Sequence, residues 1–239
     1  MAENTGRYNR QLPILGADGQ RKLRSSKILI AGVGGLGSAV SIYLVAAGVG
    51  RLIIVDSDTV KLSDLNRQIL YSQRDIGRKK VVVAKERLRG LNPEVDVVAI
   101  DTQITEENAS ELIRDVDIVV DCLDNWRTRL MLDKAICEEK KVLVHGGIEG
   151  LYGQVTVIVP YKTMCLRCLI GKPEEKEFIP VLGTTPGIIG LIEATEVIKL
   201  VTGVGQPLIN RMLIYDGYSM EFNIVELKPT KECLDMCWG

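Results

Sequence analysis

Residues 27–37 read KILIAGVGGLG, and this stretch decides the fold. The short, mainly apolar segment 27–31 predicts a buried strand, and after the glycines Leu36, Val40 and Leu44 recur at the spacing of a helix. Glycines between a strand and a helix are typical of a phosphate-binding loop, because bare backbone N–H groups and the helix dipole can face an anion there. The order strand, glycine turn, helix therefore predicts a βα unit that can hold a nucleotide.

The loop contains Gly32, Gly34, Gly35 and Gly37, and Asp56 ends the next apolar run 19 residues after Gly37. An acidic side chain at that point can accept hydrogen bonds from ribose hydroxyls. The glycines could also serve only a tight turn and close packing of the helix. Because the loop and the carboxylate suit NAD and ATP equally well, these residues leave both nucleotides open.

Strand and helix signals keep alternating along residues 1–148. Apolar runs predict the strands, and helical periodicity predicts the helices between them. The predicted strands are 52–56, 95–100, Ile118–Asp121 and 142–145, and the predicted helices are Lys80–Leu91, 106–114 and one that Asp124 or Asn125 caps and that ends near Glu139. This alternation indicates an α/β fold with a Rossmann-like, doubly wound, mainly parallel sheet.

The pattern changes after residue 148, where apolar and polar residues begin to alternate as in antiparallel strands. The predicted features are strands over 155–159 and 220–224, a bulge at Val225 and Leu227, the polar loop KPEEKEF (172–178) and a helix over 186–201 that Gly203 ends. We therefore predict one domain, residues 1–239, in which an antiparallel extension (149–239) follows a nucleotide-binding half (1–148).

Charge and hydropathy exclude several kinds of partner. The chain has 30 basic and 31 acidic residues, so no global field draws it onto nucleic acid or an anionic membrane. The start, MAENTGRYNR, lacks the apolar core of a signal peptide, and no apolar run approaches the roughly 18 residues that span a bilayer. We predict a cytoplasmic protein with neither a nucleic-acid nor a membrane partner.

Three charged side chains favour ATP over NAD as the nucleotide. Arg67 ends the block SDLNR, Lys80 ends GRKK, and Asp124 lies in DCLDN. A pyrophosphate leaving group needs fixed cations and a magnesium ligand, whereas hydride transfer needs neither. The basic run that ends at Lys80 could equally be the solvated start of a helix.

With RYNRQ at residues 7–11 and DGQ at 18–20, these blocks closely resemble the MoeB/ThiF family of adenylating enzymes, relatives of the ubiquitin-activating enzyme. The resemblance covers essentially the whole chain, and ordered blocks are far more specific than one glycine loop. The blocks are RYNRQ, GVGGLG, AGVG, the aspartates of DSD (56–58), SDLNRQ, GRKKV, DCLDN, GQVTVI and two cysteine pairs.

The resemblance implies a role for each of these residues around a magnesium-bound ATP. Gly35 and the neighbouring backbone would cradle phosphate, and Asp56 would hold the ribose. Arg67 and Lys80 would grip the triphosphate, while Asp124 would carry magnesium. Arg10 would reach the nucleotide of the other subunit of a homodimer. The further nucleotide contacts that it implies are Asp58, Asn66, Gln68 and Asn125.

The implied reaction is adenylylation of a small ubiquitin-like sulfur-carrier protein that ends in Gly-Gly. Its terminal carboxylate would attack the α-phosphate of ATP, giving an acyl adenylate and pyrophosphate. Because a carboxylate is ionised at neutral pH, this nucleophile needs no general base. The lone histidine, His145, ends an apolar strand before two glycines and is expected to be a hydrogen-bonded core or rim residue.

In some relatives the loop before the long C-terminal helix contains a further cysteine. That cysteine forms a covalent bond to the activated partner. The corresponding stretch, EEKEFIPVLGTT (174–185), contains none, so we expect no thioester by this route. Because the sequence contains no sulfurtransferase segment, we expect another protein to supply sulfur.

The cysteines form two spaced pairs, Cys165-x-x-Cys168 and Cys233-x-x-x-Cys237. Four thiolates suffice for a closed, structural zinc site, which would tie the C-terminus to the loop after the strand near residue 159. The family agrees, although its second pair is more usually separated by two residues. Cys122 and Cys137 are expected to be small buried hydrophobic residues.

Two other functions stay open. The glycine loop and Asp56 would also suit an NAD-dependent oxidoreductase, although no Tyr-x-x-x-Lys pair supports it. The absent loop cysteine would suit a non-catalytic scaffold that binds a ubiquitin-like protein. The sequence also leaves open which carrier is used: one for molybdopterin, for thiamin, for tRNA thiolation or for protein tagging.

Overall fold

An eight-stranded sheet forms the centre of the computed structural model, which describes residues 5–174 and 179–238. The strands are β1 (Lys27–Ala31), β2 (Arg51–Val55), β3 (Asp96–Ile100), β4 (Ile118–Asp121), β5 (Val142–Glu149), β6 (Tyr152–Ile158), β7 (Arg211–Asp216) and β8 (Glu221–Glu226). The helices are α1 (Leu12–Ser25), α2 (Gly35–Ala47), α3 (Lys80–Leu91), α4 (Ala109–Ile113), α5 (Trp126–Glu139), α6 (Leu166–Ile170), α7 (Thr184–Thr202) and α8 (Lys231–Trp238).

The strand order is β3-β2-β1-β4-β5-β6-β7-β8, and the first five of these strands are parallel. The chain winds outward from β1 in both directions, because β1 pairs with β2 on one side and with β4 on the other. In such sheets ligands bind at the carboxyl ends of the strands where the winding reverses. The predicted doubly wound, mainly parallel sheet is confirmed.

Strands β6, β7 and β8 extend the sheet in antiparallel order, as predicted. Strand β5 is longer than the predicted 142–145, because it continues through Gly146 and Gly147 and pairs Glu149 with Tyr152 of β6. The glycines therefore lie inside the ladder rather than in a turn.

The predicted bulge in the last strand is wrong. The register of β7 and β8 runs without interruption from Arg211 paired with Glu226 to Asp216 paired with Glu221. Every residue of β8 is exposed, so neither face of this edge strand is buried. The slip in alternation near Val225 therefore reflects the lack of a buried face.

Four of the helices and strands named above escape the sequence patterns: α1, α6, β7 and α8. Helix α1 contains Gly16 at φ 68°, which kinks it and interrupts the helical periodicity. Helix α4 has only five residues, fewer than the predicted 106–114. Helix α7 exceeds the predicted 186–201 at both ends, and Gly203 follows it in the left-handed conformation, as expected.

Two apolar clusters, one on each face of the sheet, hold the helices. Ile28 and Ile30 of β1 face the cluster that contains residues of α1, α2, α3 and α7. Leu29, between them, faces the cluster with residues of α4, α5, α6 and α8. Because helices cover both faces, the central strands are continuous apolar runs.

None of the helices in the described part of the chain is both long and apolar enough to cross a membrane.

The predicted polar loop (172–178) lies partly outside the described residues, and residues 172–174 belong to no helix or strand. The first four residues of the N-terminal segment also lie outside them. The division into one domain with two halves stays a prediction.

Candidate functional site

The glycine loop lies between β1 and α2, beside the end of β4. Gly32 has φ +91°, and a Cβ there would come within 2.8 Å of the Cys122 carbonyl oxygen. A Cβ on Gly37 would lie 2.1 Å from the Gly32 carbonyl oxygen, so α2 can approach the turn only with glycine at this position. Gly34 precedes α2 and Gly35 begins it. The first N–H groups of α2 lack helical partners and are available to an anion.

Asp56 follows β2 and orders the loops on both sides of it. Its Oδ2 accepts a hydrogen bond from the Val33 N–H at 2.9 Å, and its Oδ1 accepts one from the Asp58 N–H, also at 2.9 Å. Each carboxylate oxygen has a further lone pair, so Asp56 can still accept from a ribose hydroxyl. The side chain is half-buried beside the glycine loop.

Lys80 is the first residue of α3, and its side chain is buried. Its Nζ lies 3.0 Å from Asp58 Oδ2 and 3.7 Å from Asp64 Oδ2. The alternative of a solvated charge run therefore fails for Lys80. It holds for its neighbour Lys79, whose Nζ pairs with Asp101 at the surface.

Arg67 lies just after the short 3-10 helix Leu62–Asp64. Its Nη1 donates to the Ser63 carbonyl oxygen at 2.8 Å and to Asn66 Oδ1 at 3.0 Å. Its stem is close to the glycine loop, since its Cγ would lie 3.6 Å from a Cβ on Gly35. These contacts hold the guanidinium in the loop after β2, while the aliphatic stem lies beside the start of α2.

Asp64 connects the predicted cations, although the sequence analysis gave it no role. Its Oδ1 lies 3.7 Å from Arg67 Nη2, and its Oδ2 lies 3.7 Å from Lys80 Nζ. Gln68 Nε2 donates to Asp64 Oδ1 at 3.1 Å. Gln68 Oε1 is buried without a hydrogen-bond partner among the described residues. A Cβ added to Gly34 would lie 3.7 Å from Gln68 Nε2. The unpaired Oε1 of the same amide group is therefore close to the glycine loop.

Asp124 and Asn125 follow β4 and begin α5. Asn125 is the helix cap, because its Oδ1 accepts from the Thr128 N–H at 2.9 Å. Asp124 is exposed, and its carboxylate accepts a hydrogen bond from Asn125 Nδ2 at 3.2 Å.

The exposed carboxylate of Asp124 at the end of β4 suits a hydrated magnesium ion, which usually binds through one or two carboxylates. Beside the cap is a cavity of about 460 Å³, which Thr128, Gln103 and Met131 help to line.

Arg10 lies apart from the other predicted site residues. The adjacent Gln11 donates through Nε2 to the carbonyl oxygen of Ala47, the last residue of α2. The glycine loop is at the other end of that helix, which is 13 residues and about 20 Å long. Arg10 is exposed and is not brought to the glycine loop of its own chain.

A buried charged network that the sequence patterns do not reveal supports the end of β4. Arg129 of α5 donates to the carbonyl oxygens of Leu123 at 2.5 Å and Gly146 at 2.8 Å. Its Nε lies 3.4 Å from Asp121 Oδ2, to which His145 Nδ1 is hydrogen-bonded at 2.7 Å. The expectation of a hydrogen-bonded core histidine is therefore confirmed.

The network contains one ion pair and a neutral histidine. Burial lowers the pKa of His145, so the neutral ring donates through Nδ1 to Asp121. Burial alone would raise the pKa of Asp121, but the Arg129 charge and the bond from His145 hold it below its usual value. The pair of Asp121 and Arg129 fixes Leu123, directly before Asp124.

The four predicted zinc ligands lie together near the C-terminus. Cys165 and Cys168 are at α6, and Cys233 and Cys237 are one turn apart on α8. Cys237 Sγ lies 2.7 Å from Cys165 Sγ, 3.4 Å from Cys168 Sγ and 3.6 Å from Cys233 Sγ. Cys165, Cys168 and Cys237 lie within 4.8 Å of one another, and Cys233 adjoins them through Cys237. This set of thiols fits a tetrahedral zinc ion, with bonds of about 2.3 Å.

The two remaining cysteines differ from each other. Cys122 is buried, as expected. Cys137 is only half-buried, and its Sγ, Cys165 Sγ and a carboxylate oxygen of Asp133 all lie within 4.8 Å of one another. Cys137 packs against the apolar cluster that contains residues of α5, so the expectation of a small buried hydrophobic residue holds for it only in part.

Comparison with known proteins identifies the family. The model of the ThiF family matches residues 8–236. The chain belongs to the ThiF family. It is 39% identical to the sulfur carrier protein adenylyltransferase of Thermus thermophilus, over 97% of this chain and 90% of that protein. It is 38% identical to the SAMP-activating enzyme E1 of Haloferax volcanii, over 97% of this chain and 88% of that protein.

A solved structure agrees with this ThiF-family assignment at the level of the fold. The crystal structure of E. coli MccB with AMPCPP and MccA matches with a TM-score of 0.86 and 25% identity. The match covers 98% of this chain and 74% of that one. The resemblance that the sequence blocks indicate is confirmed.

One buried group of this ThiF-family chain has no partner in the described structure. Both carboxylate oxygens of Glu193 in α7 lack hydrogen bonds, and the side chain is fully buried. Its Cδ would lie 2.4 Å from a Cβ on Gly146, so glycine in β5 makes room for it. Burial raises the pKa of Glu193 well above its usual value, and the nearby Asp121 charge adds to this.

In Glu193→Gln the free energy of unfolding is expected to decrease less steeply, as pH rises, than in the wild-type protein. Because the folded state binds the Glu193 proton more tightly, the wild-type free energy of unfolding declines once pH exceeds the unfolded pKa of about 4.3, until the folded pKa is reached. The decline is up to about 1.4 kcal/mol per pH unit. Urea titrations at several pH values measure it. The exposed control Glu221→Gln should follow wild type, and parallel profiles for wild type and Glu193→Gln would contradict a neutral Glu193.

Proposed function

We propose that this protein transfers AMP from ATP to the C-terminal carboxylate of a small ubiquitin-like sulfur-carrier protein and releases pyrophosphate. One observation carries the proposal. A glycine loop, two cations joined through Asp64, and the exposed carboxylate of Asp124 border the carboxyl ends of β1 and β4. The names of the relatives in Thermus thermophilus and Haloferax volcanii, an adenylyltransferase and an activating enzyme, support the same chemistry.

In this proposal the chain acts by positioning and by neutralising charge. The N–H groups at the start of α2 receive phosphate oxygens, and Lys80 and Arg67 stabilise the charge that develops on pyrophosphate. Asp58 and Asp64 hold Lys80 in place before ATP binds, which lowers the cost of ordering it in the transition state. Asp124 would hold magnesium, which would supply positive charge to offset that of the phosphates.

The remaining predicted residues orient the nucleoside. Asp56 accepts from the ribose hydroxyls with the lone pairs that its backbone partners leave. Gln68 offers its unpaired Oε1 to a donor on the substrate or to a bound water. The cavity between the segment after β3 (residues 103–107) and the start of α5 would give the base room. Asp58 and Asn66 act through their bonds to Lys80 and Arg67.

The nucleophile needs no base from this chain. A carboxylate is already ionised near neutral pH, and it attacks the α-phosphate while the bond to pyrophosphate breaks. His145 is buried and bonded to Asp121, so it serves the fold rather than proton transfer. A sulfur donor distinct from this chain would then convert the acyl adenylate to a thiocarboxylate.

The position of Arg10 favours action in a homodimer. Its neighbour Gln11 is anchored at the far end of α2 from the glycine loop, so Arg10 serves a partner's site rather than its own. Mixing an Arg10→Ala protein with an Asp124→Ala protein should then restore activity, because a mixed dimer contains one site with both residues intact. The expected yield is about one quarter of wild type or less, by random exchange of subunits. Absence of any recovery after verified subunit exchange would assign Arg10 to its own site.

Carrier-dependent exchange of labelled pyrophosphate into ATP tests the proposed reaction. The assay uses a purified ubiquitin-like sulfur carrier ending in Gly-Gly and, as its control, the same carrier without the last glycine. We expect exchange with the first carrier only, since the reaction needs the correctly placed terminal carboxylate. A panel of carriers from the molybdopterin, thiamin, tRNA-thiolation and tagging pathways identifies the partner.

The same assay separates the two alternatives. A scaffold would bind the carrier tightly and give no exchange. An NAD-dependent oxidoreductase would bind NADH tightly, and ATP would not compete. The ion-paired Lys80 and Arg67 speak against both alternatives, because neither needs fixed cations beside the glycine loop.

A further inference from the structure

A fifth thiol extends the predicted zinc site. We infer that the metal centre of this chain draws on five cysteines, with Cys137 of α5 able to replace Cys233 as the fourth ligand. The inference concerns the composition of the metal site and stands apart from the proposed adenylylation.

The first observation is that Cys165 belongs to two groups of metal-binding atoms. Its Sγ and those of Cys168 and Cys237 all lie within 4.8 Å of one another. The Sγ of Cys137 and a carboxylate oxygen of Asp133 form a second group with Cys165 at the same limit. A tetrahedral site with bonds of about 2.3 Å separates its sulfurs by about 3.8 Å, so the separation of Cys137 from Cys165 exceeds that of two bound ligands by at most about 1 Å.

The second observation is that Cys233 is the one predicted ligand outside the mutual group of thiols among the described residues. Its Sγ approaches Cys237 Sγ at 3.6 Å but falls outside the group that Cys165, Cys168 and Cys237 form. The three-residue spacing places Cys233 and Cys237 one helical turn apart on α8. Three ligands therefore form the mutual cluster, while Cys233 adjoins it through Cys237 and Cys137 adjoins it through Cys165.

Helix α5 holds Cys137 beside the site. Asp133, one turn before Cys137, accepts from the N–H groups of Leu166 at 2.8 Å and Arg167 at 3.2 Å. It thereby ties α5 to the α6 turn that begins at Cys165. Both carboxylate oxygens are engaged in this contact, so the thiol of Cys137 is the better ligand on α5, and zinc prefers thiolate to carboxylate here.

Cobalt(II) loaded into the full chain tests the inference, since the absorbance of sulfur-to-cobalt charge transfer scales with the number of bound thiolates. We expect Cys233→Ser to bind one cobalt per chain and to keep a four-thiolate spectrum. Adding Cys137→Ser to Cys233→Ser should lower the charge-transfer absorbance by about one quarter, the step from four thiolates to three. Adding Cys122→Ser instead is the matched control, because Cys122 is buried at the end of β4, and it should change nothing.

Alkylation of the zinc-loaded protein gives a second readout. Cys137 should react in wild type and become protected in Cys233→Ser, because zinc then binds it. A three-thiolate spectrum in Cys233→Ser that Cys137→Ser leaves unchanged would overturn the inference. Failure of Cys233→Ser to fold or to bind cobalt would also overturn it, since a reserve ligand should maintain the site.

Discussion

Asp124→Ala is expected to abolish carrier-dependent pyrophosphate exchange, a loss of at least about 10³-fold, while the free energy of unfolding stays unchanged. The residue is exposed and its one described hydrogen bond is to the adjacent Asn125, so removing it costs the fold little. The cap of α5 remains, because it is Asn125 that accepts from the Thr128 N–H. The loss arises from removal of the proposed magnesium ligand.

A matched control variant distinguishes the loss of the proposed magnesium ligand from a general effect of removing a negative charge. Asp96 is also exposed, but it begins β3 and so lies at the amino ends of the parallel strands, away from the proposed site at their carboxyl ends. Its carboxylate pairs with Arg51. Asp96→Ala should therefore retain exchange near the wild-type rate. Exchange is measured across a range of magnesium concentrations. An Asp124→Ala protein with the wild-type rate and magnesium dependence would remove Asp124 from the site.

Lys80→Met is expected to lower the exchange rate by about 10²-fold or more, mainly through kcat. Methionine keeps most of the buried stem and removes the charge that we propose stabilises pyrophosphate. Asp64 retains its contacts with Arg67 and Gln68, so the loop after β2 should stay ordered. Some stability is lost, because Asp58 and Asp64 lose a cation, so rates are compared per folded protein well below the unfolding temperature.

Lys79→Met provides the comparison at the neighbouring position. Lys79 has the same charge, but its Nζ is engaged at the surface with Asp101 and the Ser57 carbonyl oxygen. Exchange by Lys79→Met should stay within about twofold of wild type, as is usual for a surface ion pair. Equal losses in the two variants would indicate a field effect of the basic run rather than a contact by Lys80.

The fold and the nucleotide loop could be predicted because their signals are local. Residues 27–37 specify a strand, a turn that requires glycine and a helix within one short stretch. The doubly wound topology follows from the alternation of elements and the handedness of their connections. Strand β8 shows where this fails, because an edge strand with both faces exposed carries no consistent pattern.

Contacts made between distant elements account for what the sequence could not reveal. Asp64 connects two cations only once α3 is packed beside the loop after β2. Glu193 is buried because Gly146, far away in the sequence, leaves space for its carboxyl group. Helical spacing puts Asp133 and Cys137 on one face of α5, but nothing local shows that this face meets Cys165.

A crystal structure of the protein with Mg²⁺ and a non-hydrolysable ATP analogue tests the central claim most directly. The account predicts phosphate oxygens at the N–H groups of Gly34 and Gly35, with Lys80 and Arg67 at hydrogen-bonding distances of about 3 Å. It also predicts Asp124 at the metal ion, directly or through a bound water. A triphosphate bound elsewhere, or one from which Lys80, Arg67 and Asp124 all point away, would contradict it.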